Sequence, residues 1–295
     1  MFSYLLVFAI ASSSATLVTF SNTNPRHDST GQILNAHDGT TRRYGGPGSP
    51  FYYHSVGYPP CAEPGEINGC NKCIFSAKNT LDVWRSPDLS SGSWIKTHTV
   101  YPNASSGLPT CTYFRSQAVF NPATKKYVLW ANAVGCAGGE YVVATSDSPE
   151  GPFSFSNMAQ PANFSGLGDF ALFLDDDGTA FAVITHLVHG AGPRDMIVFQ
   201  LNGSFTGFTG VRTGVLPGQK LVEAPSFFKR GGVYYILLGG CTCMGLYGGG
   251  VGVLTAPHPL GPWCVAPHPP SRAPGEKRPL YYPPPPPLHF AATQG

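Results

Sequence analysis

Two acidic residues of this chain stand in the same local context 54 residues apart. Asp169, in Gly168-Asp-Phe-Ala-Leu-Phe173, and Glu223, in Val222-Glu-Ala-Pro-Ser-Phe-Phe228, each precede an apolar run. Asp38, in Asn35-Ala-His-Asp-Gly39, takes the corresponding place ahead of Phe51-Tyr52-Tyr53. Three carboxyl groups brought to one pocket suit cleavage of a glycosidic bond. A protonated acid donates to the leaving oxygen, and a carboxylate activates water or attacks the sugar. A third carboxyl beside the acid keeps it protonated through like-charge repulsion and orients it. Glu223 is the candidate acid: its two methylenes give it reach, and Ala224-Pro225 forms a rigid strand entry. The bland alternatives are a solvated Glu at a loop end and an Asp-Gly turn at 38–39. The run Asp175-Asp-Asp-Gly178 has the look of a calcium loop but lacks the remaining ligands, and a hairpin turn is the better reading.

Such residues meet only if the chain repeats its architecture around an axis, and a repeat is present. A Ser or Thr with nearby Pro, then Gly, then an aromatic residue recurs four times, closing on Trp94, Phe153, Phe208 and Trp263 at intervals of 59, 55 and 55 residues. Within each period an apolar run, a turn of Gly, Asn or Asp, and an aromatic-rich run make a hairpin pattern, as in 118–130, 171–184 and 226–238. No helical period is sustained over ten or more residues. Short strands in hairpins, repeating at the length of a four-stranded unit, predict an all-β fold, a β-propeller of four-stranded antiparallel blades. Four blades are readable, at roughly 33–97, 114–156, 169–210 and 223–266. Pro283 to Pro287 is an unbroken proline run that cannot lie inside a sheet.

The 295 residues are 42% hydrophobic, enough for one large core, and a formal charge of +2 with 12% charged residues offers no basic stripe to nucleic acid. The apolar run Tyr4–Ile10 followed by small residues reads as a signal peptide over 1–20, with an N-terminal strand as the alternative; no segment is long enough for a membrane span. The propeller then occupies 21–270 and a Pro-rich tail 271–295. Eight cysteines (Cys61, Cys70, Cys73, Cys111, Cys136, Cys241, Cys243 and Cys264) form an even set that reads as disulfides in an exported protein. Cys70-Asn-Lys-Cys73 as half of a zinc site is the alternative, without a second metal motif to complete it. Sequons at Asn103, Asn163 and Asn202 agree with secretion and a glycoprotein.

At these same residues the chain resembles glycoside hydrolase family 43, in particular its exo-β-1,3-galactanase-like branch. The matching stretches are Asn35–Asp38, Phe120–Trp130, Gly168–Ala180 and Val222–Tyr235, with Gly261-Pro-Trp263 after them. The resemblance implies a five-bladed propeller that usually inverts the anomeric centre. It assigns the base of the first blade to Asp38, the pKa-modulating Asp of the third to Asp169 and the acid of the fourth to Glu223. Arg115 and His37 are the candidates to bind substrate hydroxyls, with an ion pair at the propeller rim as the equal alternative for Arg115. Two features depart from the family pattern: Phe114 stands where galactanase-like members carry a Glu before the Arg, and nothing after Trp263 reads as a fifth blade, which is expected to be incomplete or degraded. The expected protein is a secreted, monomeric hydrolase of galactan-, arabinan- or xylan-type glycans that needs no organic cofactor and no metal at its site, although the resemblance allows a structural ion in the channel. The rivals are a carbohydrate-binding propeller without turnover and a matrix protein whose Pro-rich tail docks as a polyproline helix.

Overall fold

The structure, a computed structural model, describes residues 18–21, 24–58, 79–100, 106–136, 140–187, 194–217, 222–240 and 251–266. The 1–17 part of the signal-peptide reading, the Pro-rich tail, Asn103 and Cys61, Cys70, Cys73, Cys241 and Cys243 lie outside the described residues.

Every regular element among the described residues is a strand, and the sixteen strands form four antiparallel sheets of four. Blade 1 is β1 (His37–Arg43), β2 (Phe51–Gly57), β3 (Thr80–Ser86) and β4 (Ile95–Val100). Blade 2 is β5 (Thr112–Asn121), β6 (Lys126–Val134), β7 (Tyr141–Ser146) and β8 (Ser154–Ala159). Blade 3 is β9 (Leu167–Leu174), β10 (Ala180–Leu187), β11 (Arg194–Leu201) and β12 (Phe208–Arg212). Blade 4 is β13 (Val222–Arg230), β14 (Val233–Gly240), β15 (Val251–Ala256) and β16 (Cys264–Val265). The first strand of each blade packs on the next, β1 on β5, β5 on β9 and β9 on β13. The four blades therefore agree with the repeat, and the fifth has no strand among the described residues.

The core lies between blades, which explains why strands such as β10 are apolar on both faces. Ala180, Ala182 and Ile184 of β10 face Trp130, Tyr141 and Val143 of blade 2, whereas Phe181 and Val183 face Ile236, Leu238 and Trp263 of blade 4. Blades 1 and 2 meet through Val56, Leu81, Val83, Leu129, Val142 and Phe153. The closing aromatics of the repeat mostly reach back to the preceding blade. Phe153 meets His54 edge-on, Phe208 meets Trp130, and Trp263 joins the cluster between blades 3 and 4.

Asp175–Gly178 is the hairpin turn the sequence suggested, with Gly178 at φ 84. Its carboxylates serve blade contact: Asp175 accepts from the Tyr234 hydroxyl at 2.7 Å and from Lys229 Nζ at 2.9 Å. Burial works against charge on Asp175, but these hydrogen bonds prevail and lower its pKa. Cys111 and Cys136 form a disulfide across the β5–β6 hairpin. Cys264, on the outermost strand of blade 4, is exposed and free, so the pairing expected of the even set is not made at this residue.

Candidate active site

The inner strand of each blade carries one irregularity near its start. Register shifts fall between His37 and Thr40 in β1, between Phe114 and Gln117 in β5, opposite Leu167–Phe170 in β9, and between Glu223 and Ser226 in β13. A bulge adds a residue to one strand and re-aims its neighbours. In three of the four, a residue with a side chain is forced to positive φ: Asp38 at 51°, Arg115 at 56° and Ala224 at 54°. Each such residue costs about 1 kcal/mol or more relative to relaxed strand geometry. Repetition of the same strain at one phase of three blades marks where the fold is constrained.

Asp38 is the second residue of β1 rather than a residue ahead of Phe51, which opens β2; its phase is the expected one, but its strand is the preceding one. The next residue, Gly39, has no alternative, because a Cβ there would lie 2.1 Å from the His54 carbonyl oxygen. The Asp-Gly pair is thus a bulge pressed onto β2. Asn35 fastens the backbone of Tyr58, donating Nδ2 to its carbonyl at 2.7 Å and accepting its N–H at 3.2 Å. Burial, the charge of Asp38 and a hydrogen bond to that carboxylate push the Tyr58 hydroxyl up to about 12, with Arg115 acting in the opposite sense. The His37 ring packs against Tyr58 at a tilt of 59°, with ring centroids 4.6 Å apart, and burial lowers its pKa.

Asp169, on β9 of blade 3, is held from blades 2 and 4. The segment leading to it is fixed from blade 2, where Tyr141 donates its hydroxyl to the Gly168 carbonyl at 2.7 Å and Glu140 accepts the Gly166 N–H at 3.0 Å. Its own carboxylate meets Arg115 Nε at 2.9 Å and accepts the Ala224 N–H at 3.2 Å. Arg115 is thus ion-paired, but at the central pocket rather than at the propeller rim. Glu223 precedes Ala224 at the start of β13 and is half-buried.

A pocket of about 260 Å³ lies where the four inner strands meet. Asp38, Thr40 and Arg42 line it from β1, Arg115 and Gln117 from β5, Ala171 and Leu172 from β9, and Ala224, Pro225 and Ser226 from β13. The structure brings Asp38 and Arg115 into the pocket, Asp169 against two of its lining residues, and Glu223 next to one. His37 packs beside the pocket, on Tyr58. Larger volume does not locate chemistry: a hollow of about 490 Å³ on blade 1, lined by residues of 19–27 with Leu89 and Ser91, holds no carboxylate. Among the described residues no group of three His, Cys, Asp or Glu side chains could hold a metal ion. Two arginines against one carboxylate make the pocket lining a poor cation site.

Three residues here carry no motif of their own. Gln117 of β5 donates to the Phe170 carbonyl at 2.7 Å and accepts the Leu172 N–H at 3.0 Å, joining blades 2 and 3. Arg42 donates Nη2 to the Leu172 carbonyl at 2.6 Å, reaching from blade 1 to blade 3. Tyr58 is the third. Strand alternation from Asp38 through Thr40 to Arg42, and from Arg115 to Gln117, is the signal that finds the first two.

The family model of Glycosyl hydrolases family 43 matches residues 74–283, a span that takes in Arg115, Asp169 and Glu223 and begins after Asp38. Among solved structures, a family 43 β-1,3-galactosidase has a TM-score of 0.64 at 23% identity, over 84% of this chain and 48% of its own. The exo-β-1,3-galactanase of Phanerochaete chrysosporium has a TM-score of 0.63 at 21% identity, over 82% and 52%. An endo-1,4-β-xylanase from Bacteroides thetaiotaomicron has a TM-score of 0.57 at 23% identity, over 80% and 74%. At these identities the likeness is one of fold, and the chain spans about half the length of the first two structures. No curated protein matches the sequence.

Proposed function

Since the chain belongs to glycosyl hydrolase family 43, we propose that it is a secreted enzyme that hydrolyses glycosidic bonds of galactan-, arabinan- or xylan-type glycans with inversion. The observation that supports this most is the approach of Asp38, of the Arg115–Asp169 pair and of the strand start carrying Glu223 to one pocket from four blades. Glu223 gives its proton to the leaving oxygen as the bond to the anomeric carbon breaks. Asp38 takes a proton from the water whose oxygen forms the new bond on the opposite face. Asp169, tied to Arg115 and to the Ala224 N–H, orients the acid's strand. Inversion requires the Asp38 and Glu223 carboxyls to stand roughly 6.5–9.5 Å apart in the working enzyme, which leaves room for that water. A fifth blade completing the channel belongs to this reading, as do a cleaved signal peptide and action as a monomer.

The test is hydrolysis of aryl β-galactosides, β-xylosides and α-arabinofuranosides, of β-1,3-galactan and of β-1,4-xylan, by the wild type and Glu223→Gln. Removing the acid is expected to lower kcat by roughly 10²–10⁴-fold with unchanged folding. Turnover that survives Glu223→Gln intact refutes the assignment. A folded, inert wild type that binds these sugars establishes the binding-propeller reading instead.

A further inference from the structure

The two arginines of the pocket differ in one respect. Arg115 is neutralised by Asp169 at 2.9 Å. Arg42 has no carboxylate within ion-pair distance among the described residues; its one described acceptor is the Leu172 carbonyl, and its Nε is buried without a partner. The charged and titratable groups acting around it are Tyr44 and His54, neither of them anionic in the fold at neutral pH. Asp38, the pocket's carboxylate, is engaged by Tyr58. Burial lowers the Arg42 pKa from its ordinary value, yet a guanidinium stays charged, and a half-buried charge without a counter-ion among the described residues is costly. The fold keeps this cost at a residue that lines the pocket and spans from β1 to β9.

We propose that the pocket receives an acidic sugar, a uronosyl residue whose carboxylate is held by Arg42. A guanidinium that lines the pocket without an ionic partner makes charge-assisted hydrogen bonds to a carboxylate that a neutral hydroxyl cannot match. The pocket's about 260 Å³ is at the small end for ligand sites and suits a single sugar ring. This inference rests on reading the pocket as a sugar site and adds the charge of the sugar that fills it. Inorganic oxyanions share the chemistry, so the test must separate the two sources.

The experiment is calorimetric titration of the full chain with D-glucuronate and D-galacturonate, with D-glucose and D-galactose, and with inorganic sulfate. The uronates are expected to bind about tenfold more tightly than their neutral counterparts, with the preference lost in Arg42→Met and partly kept in Arg42→Lys. Equal binding of acidic and neutral sugars by the wild type overturns the proposal, whether or not Arg42→Met folds. So does sulfate binding without uronate binding, which makes Arg42 a site for a free anion. A uronate preference without hydrolysis of any glycoside refutes the hydrolase and leaves this inference standing, whereas turnover of neutral galactosides without the preference does the reverse.

Discussion

Acidification from about pH 8 to about pH 5 is expected to weaken the fold through one residue of blade 1, His54. Its ring is fully buried, its Nε2 lies 2.9 Å from the Pro149 carbonyl, and its Nδ1 has no partner. Nε2 donates the hydrogen bond, so Nδ1 is the atom that acid must protonate, in a site that gives the new N–H no acceptor. Burial is the main cause that lowers the His54 pKa from 6.5 to about 4; the Pro149 contact opposes it, and the charge of Arg42 adds to it. The unfolded chain takes up the proton first as pH falls. The contribution is complete above about pH 6.5, is lost between about 6.5 and 4, and changes no further below that. At about pH 5 the loss is about 2 kcal/mol, and it approaches about 3 kcal/mol below pH 4. Urea unfolding followed by tryptophan fluorescence at a series of pH values measures it, with His54→Phe as reference. The variant is less stable at neutral pH for want of the Pro149 contact, but its curve from about pH 8 to about pH 5 should be flatter by that amount. Parallel curves for the two proteins refute the reasoning.

Other perturbations test how the pocket is built. Gln117→Ala leaves the Phe170 carbonyl and the Leu172 N–H without their partner and should destabilise by about 2–4 kcal/mol, seen as a lower urea midpoint; an unchanged midpoint means that water replaces the amide at no cost. Gly39→Ala places a methyl against the His54 carbonyl, and the resulting shift of β1 should cost more than about 2 kcal/mol and reduce turnover together with stability; a stable variant with full activity means that the bulge at Asp38 can relax freely. Arg115→Ala removes a partly exposed ion pair, worth about 1 kcal/mol or less to stability, yet should lower kcat through Asp169. If stability falls steeply and kcat does not, the pair is a structural strut.

The blades could be read directly because what defines them is local. A hairpin is specified by alternation and by turn residues within about twenty positions, and the closing aromatics repeat because each is packed by the same interblade geometry. This is why Asp169 and Glu223 were identifiable by phase and why Asp175–Gly178 was readable as a turn. Asp38 was found at the right phase on the wrong strand, since His37–Arg43 is a polar-looking inner strand, HDGTTRR, without the apolar run that marks the others. Cys264 followed the even count on paper and not in space, because composition does not say which sulfurs meet. The contacts that shape the pocket join residues far apart in the chain: Arg115 with Asp169, Arg42 with Leu172, Gln117 with Phe170 and Leu172. No spacing rule encodes such pairs, because they depend on how one blade rotates against the next. The sequence by itself therefore determined the repeated sheet and the phase at which carboxylates enter it. Tertiary structure alone decided that, among the described residues, Arg115 has a carboxylate partner and Arg42 has none, since charge compensation depends on distances between blades that only their packing sets.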